Sequence, residues 1–438
     1  MSKKAFIFIF GCLFSLVATG QATWGSAFED IPNGKGLAIT RALSSTESIT
    51  YHAQINGTSL RGIFEKKAIG ATSVDTINFV PGYVVHDFYI YGNTVYFCGS
   101  NPGATEAIIG YFDVSVFQNP GQVQNINCWT FPDATTLTKI VAFRRAGNNN
   151  VECACLGLVR DQSSGLLYHS LLHVDLTGQP STFTAYFFGN GSLHFYTEWY
   201  SDLVVTDNYV AVVGELNTTS RMIMIRRQSL NQSTVDWNPQ FYYTTPNNEM
   251  LAFPKAVRME GDTLALASLC LNSDGIYEVR TRFVDLASMT MFCSQAFELQ
   301  EKADPIAMTY VPKNHSLIMS ISIGGICNLI RMTHLKTSGY LTWYITHSNK
   351  YFAGLCCLQN QYLLATSGNL NLYKHATIDP SATISSCYQN GTIKIKTVPN
   401  LTGHKTQLSI DATSISANNT TPPVTPNSFV RFPACLNP

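Results

Sequence analysis

Four stretches hold residue types whose spacing could do chemistry. "HSLLH" sets His169 and His173 four residues apart, a spacing that would chelate zinc from one face of a helix, although the Glu of an H-E-x-x-H pair is missing. On a strand the two rings stand ~13 Å apart. The apolar context reads as strand, so both are strand histidines. "HFYTEWYSDL" at 194–203 is the densest aromatic and acidic cluster. There Tyr196, Trp199 and Tyr200 are candidates to stack on a sugar or anchor a protein partner, with Glu198 and Asp202 to hydrogen-bond it. Ordinary packing between repeats competes with that reading. Asp113, Asp175 and Asp285 recur in "YFDVS", "HVDLTG" and "FVDLAS". They are read as acids that cap a turn by accepting backbone N–H bonds rather than as a metal or catalytic set. Cys153-Ala-Cys155 and Cys356-Cys357 do not match the knuckle spacing of structural zinc, so no metal site is expected. No nucleophile elbow, phosphate loop or dinucleotide fingerprint occurs, and no cofactor is expected.

The elements that must position these residues are strands. "RGIFEKK" at 61–67 and "IGYFDVS" at 109–115 repeat one phrase, and the repeat extends to seven copies starting near 37, 87, 140, 202, 256, 306 and 353. Each copy holds four runs rich in Val, Ile, Tyr, Phe and Thr. Turn residues such as Gly92-Asn93, Asp207-Asn208, Gly261-Asp262 and Lys313-Asn314 separate the runs. No amphipathic helix of convincing length interrupts them.

Four antiparallel strands repeated about every 50 residues mark a β-propeller. In period and strand pattern the chain resembles β-propeller proteins over about 37–390. The fold expected is all-β, with seven four-stranded blades; six or eight also suit the spacing. The "GH…WD" pair, a double glycine in every blade and the "S-x-D-x-G-x-T-W" box are absent, so no family's functional residues carry over. Propellers serve as binding or scaffold modules and as enzymes, and fold alone does not choose. The sequence therefore leaves a binding module for a glycan or another surface protein beside a hydrolase or lyase with its site at the central channel mouth. Charged groups meeting at that mouth would favour the enzyme, and a shallow aromatic patch would favour binding.

Lys3–Lys4 followed by the apolar stretch Ala5 to Ala18 and small residues to Ala22 read as a secretory signal peptide over 1–22. That places the propeller, 23–390, in a secreted, periplasmic or cell-surface protein. The 28 basic and 28 acidic residues balance, which argues against nucleic acid as a partner, and no later run is long enough to span a membrane. Eleven cysteines follow the leader, and in a secreted chain a few are expected to pair. Cys387 and Cys435 are one candidate pair. Residues 391–438 break the pattern: "TIKIKTV" and "QLSIDAT" are read as one or two rim strands, and "SANNTTPPVTPNS" at 416–428 as an extended or disordered linker. Nine Asn-x-Ser/Thr sequons occur, acceptors only in a host that glycosylates.

Overall fold

Runs such as "TLALASL" are apolar almost throughout, which suits a strand covered on both faces. In Thr263–Leu271 the seven central residues are all buried. The computed structural model describes the chain from Ser26 to Pro426 apart from short connections, the longest being 31–37, 119–125, 189–197 and 379–388. The expected leader, Tyr196, Cys387 and Cys435 lie outside the described residues.

The strands form seven sheets. Their innermost strands are Ala38–Ala42, Val84–Tyr91, Ala134–Phe143, Glu198–Val205, Met250–Arg258, Ala303–Val311 and Tyr351–Leu358. Each inner strand touches the next, and the seventh touches the first, so the sheets close into a propeller of blades 1 to 7. The sequence period thus marks the blades correctly. Blade 7 takes three strands from its own repeat; its outermost strand, Ser26–Asp30, comes from the start of the propeller and pairs antiparallel with Leu372–Ile378. No α-helix occurs among the described residues, only two 3₁₀ turns, Val114–Gln118 and Pro312–Asn314. None of the described residues forms a helix long and apolar enough to cross a membrane.

The core lies between blades. One cluster joins Tyr51 and Phe64 of blade 1 to Phe88, Phe97 and Phe112 of blade 2. Phe64 packs its ring 5.6 Å from Phe88 and 5.1 Å from Phe112. Similar clusters fill the seams between blades 2 and 3, 3 and 4, 4 and 5, and 5 and 6. A single blade has two apolar faces and cannot cover either, so the ring is the unit that buries them.

The region from 389 onward differs from expectation. It supplies six strands to the rim rather than one or two, and "SANNTTPPVTPNS" contains two of them, Asn418–Thr420 and Val424–Pro426. The chain adds a fifth strand to blade 6 (Gln389–Asn390), then blade 5 (Ile395–Thr397), blade 4 (Thr402–Gln407), blade 3 (Ile410–Ser416), blade 2 and blade 1, in descending order. Strand twist explains how one chain does this. Neighbouring strands rotate by roughly 20–25°, so four successive pairings turn the fifth strand about 80–100° from the innermost one. The fifth strands therefore run along the rim, and one belt passes from blade to blade. Pro426 is tolerated there because an edge strand has an N–H to spare.

Among the described residues, turn caps form at Asp113 and Asp285. Asp113 accepts the Ser115 N–H at 2.8 Å and Asp285 accepts the Ala287 N–H at 2.8 Å, whereas Asp175 accepts from the Asn150 side chain at 3.3 Å. Glu65 of the first phrase is not at a strand end: it is buried three residues before the end of Ser59–Ala68. The eight described cysteines besides Cys327 form no disulfide, and six of them are buried. The pairing expected from secretion is thus absent among these eight.

Candidate functional site

The inner strands are not uniformly apolar. In six of the seven blades the inner strand slips register against the second strand, at Val85/Asp87, Leu137/Lys139, Tyr200/Asp202, Ala252/Lys255, Pro305/Ala307 and Phe352/Gly354, and blade 3 slips a second time at Ala134/Thr136. Such a bulge re-aims the residue that follows it. In blades 2 and 3 a glycine on the second strand admits the displaced backbone: a Cβ on Gly99 would lie 1.9 Å from the Val84 carbonyl oxygen, and one on Gly157 2.1 Å from that of Thr136.

The residue after the bulge that the blades share occupies one level of the channel wall. Read around the ring from blade 2 it is Asp87, Lys139, Asp202, Lys255 and Ala307, with Arg41 of blade 1 beside Asp87; Gly354 holds the same register position on blade 7. All seven inner strands line this channel, whose volume is about 850 Å³. Met259 and Pro312, just beyond their inner strands, also line it, so it reaches the face that carries the first turn of each blade.

Both carboxylates are committed. Asp87 accepts from Arg41 Nη2 at 2.7 Å and, across the seam, from the Ile140 N–H at 3.2 Å. Asp202 accepts the Leu203 N–H at 3.2 Å and the Ala256 N–H of blade 5 at 3.0 Å, and Lys139 Nζ stands 3.3 Å away. Burial raises the Asp202 carboxyl, but the charges of Lys139 and Lys255 and the Ala256 N–H outweigh it and hold its pKa below the usual value. Burial lowers the Lys139 ammonium, but Asp202 and Asp87 on either side turn its net shift upward. Lys255 goes the other way: burial, then the charge of Lys139, lowers its pKa despite Asp202 and Asp87. No carboxylate of the described residues is in ion-pair contact with Lys255. His86, also in the wall, is pulled below its ordinary pKa by burial, and its Nε2 shares a 2.8 Å hydrogen bond with Ser100 Oγ. At the outer end Arg258 pairs with Asp207.

Of the five residues singled out at 196–202, only Asp202 is located by its side chain. Tyr196 lies outside the described residues; Glu198, Trp199 and Tyr200 begin the inner strand of blade 4, but their side chains are not described. His169 and His173 share the strand Leu167–Asp175, where His173 Nε2 meets Glu152 Oε2 at 2.5 Å. Arg41, Asp87, Lys139 and Lys255 were missed in the sequence. The signal for Asp87, Lys139 and Lys255, shared with Asp202, is a lone charge before an apolar run in successive copies, in "HDF", "TKI", "SDL" and "PKA".

Neither a family model nor a curated protein matches this chain. Among solved structures it is similar to a Mycobacterium tuberculosis puromycin-hydrolyzing peptidase, with 13% identity and a TM-score of 0.38 over 65% of this chain and 42% of that one. A glucose dehydrogenase is similar with 11% identity and a TM-score of 0.35 over 70% of this chain and 99% of that one. The chain thus spans less than half of the peptidase, and likeness at this level carries no functional argument.

Proposed function

We propose that the protein is a binding module working outside the cytoplasm that takes a glycan at the mouth of its central channel. The observation that supports binding over catalysis is the engagement of the two carboxylates that line the channel among the described residues. Charged groups do converge there, as an enzyme would require. A hydrolase or lyase, however, needs a carboxyl or imidazole free to exchange a proton with its substrate. Asp87 and Asp202 instead accept backbone N–H groups of the next blade and face cations, while His86 is held to Ser100. The channel volume of about 850 Å³ accommodates a short saccharide, and the leader-like residues 1–22 support the location.

The test is a glycan array probed with the mature chain from Thr23, followed by digestion assays on any glycan retained. Retention without shortening supports the binding module. A retained glycan that becomes shorter makes the protein a hydrolase or lyase, and cross-linking that recovers only a protein partner replaces the glycan with a protein ligand.

A further inference from the structure

The channel charges alternate around five blades and then stop. Arg41, Asp87, Lys139, Asp202 and Lys255 stand on blades 1 to 5, whereas the equivalent positions on blades 6 and 7 are Ala307 and Gly354. Each interior member has an opposite charge on both sides: Asp87 lies between Arg41 and Lys139, and Lys139 between Asp87 and Asp202. The two ends of the series are both cations. Lys255 has Asp202 on one side and the small side chain of Ala307 on the other. Across the gap stands Arg41, whose Nη2, Nε and Nη1 bond Asp87 Oδ1, the Phe88 carbonyl and the Thr40 carbonyl at 2.7, 3.2 and 3.2 Å. Among these groups three positive charges face two negative ones, so the ring is one anion short of balance.

The geometry points to an oxyanion site in the central channel, seated over Ala307 and Gly354 between Lys255 and Arg41. This rests on the glycan-binding reading and narrows it to an acidic saccharide, one that carries a carboxylate. Two small residues leave the volume that a carboxylate or phosphate needs, and cations on both sides supply charge-assisted donors in a partly desolvated site. Asp87 and Asp202 cannot swing to neutralise Lys255, because each is fixed by a backbone N–H of the adjoining blade. Burial, then the charge of Lys139, lowers the Lys255 pKa although Asp202 and Asp87 pull it upward, and among the described residues no carboxylate is in ion-pair contact with it.

The test is calorimetric titration of the full mature chain with glucuronate, glucose and inorganic phosphate, beside Lys255→Met, Lys255→Arg and Ala307→Glu. Glucuronate should bind at least about tenfold more tightly than glucose, a difference of roughly 1.4 kcal/mol. Lys255→Met should lose about that factor for glucuronate, Lys255→Arg should keep most of it, and Ala307→Glu, which sets a carboxylate in the seat, should abolish it. Phosphate binding that competes with glucuronate would show that the seat reads the oxyanion, and phosphate binding alone would remove the saccharide from the proposal. Equal affinity for glucose and glucuronate overturns the oxyanion site while leaving a glycan-binding module intact. Lack of any saccharide binding, with phosphate affinity indifferent to Lys255→Met, overturns both. Circular dichroism melts of each variant separate loss of binding from loss of fold.

Discussion

Asp202 Oδ1 and Lys139 Nζ stand 3.3 Å apart across the seam between blades 4 and 3, and the other oxygen of Asp202 reaches across the opposite seam to the Ala256 N–H. One side chain thus ties three consecutive blades together at the channel wall. Removing one partner of a buried pair leaves the other charge uncompensated. Asp202→Ala should lower stability by roughly 3 kcal/mol, and Asp202→Asn, which still offers an oxygen to Ala256, by about half as much. Urea unfolding of the two variants checks this; equal losses would mean that the bond to Ala256 contributes nothing.

A second charged group gives the fold a dependence on acid. Glu152 is buried and accepts from Arg145 Nε at 2.8 Å, from His173 and from the Asn148 amide. Burial raises its pKa, but these hydrogen bonds outweigh it and hold the value at about 2, against 4.5 for a free carboxyl. The folded-state pKa is depressed, so the stabilisation is complete above about pH 4.5 and is lost as the pH falls toward 2. Its size is roughly 3 kcal/mol. Glu152→Gln should remove that dependence, seen as a shallower fall of the melting temperature between pH 5 and about 2.5 than in the native chain.

Gly157→Ala should cost about 2–3 kcal/mol, because the new methyl would meet backbone, the Thr136 oxygen, at 2.1 Å and force the bulge to shift. Gly92→Ala sits in open space and bears only the strain of φ +59°, about 1 kcal/mol. Differential scanning calorimetry ranks the two, and a milder effect at Gly157 would mean that the bulge is not held by the second strand.

The thiols should react in two groups. Cys98, Cys153 and Cys155 are fully buried in one seam, where burial raises all three. Cys293 and Cys357 are only half-buried, the latter pushed up to about 11 by burial. A thiol reagent should label Cys293 and Cys357 first, faster as the pH rises, with the seam thiols following only on unfolding. Mass mapping after brief labelling decides it, and failure of the seam thiols to react even in denaturant would reveal a disulfide.

The blades were legible because each repeat needs strands covered on both faces, and "YVAVVG" and "TLALASL" can serve nothing else. The first strand of the propeller, "SAFED", was not: it lies far from Leu372–Ile378 in sequence and carries no pattern that names its partner. The belt was equally hidden. Its strands are two to seven residues long and rich in Thr, Asn, Lys and Gln, and a rim strand that covers an edge needs no apolar alternation. In the channel, Asp202 drew notice only for its aromatic neighbours. Its opposite number Asp87, in "VVHDFYIY", looked like one polar residue in a core strand, and only closure of the ring brings Arg41 to its side.

The belt also decides how the molecule answers mechanical load. Tension applied beyond Pro426 meets blade 1 first, through the three residue pairs of Val424–Pro426. Blade 2 follows with three pairs, blade 3 with seven and blade 4 with six. Each ladder yields on its own, so a pull from that end is absorbed as a series of short releases while the four-stranded blades beneath stay shut. A pull on Ser26 has no such buffer: it bears at once on the five pairs that close blade 7, and with them on the ring.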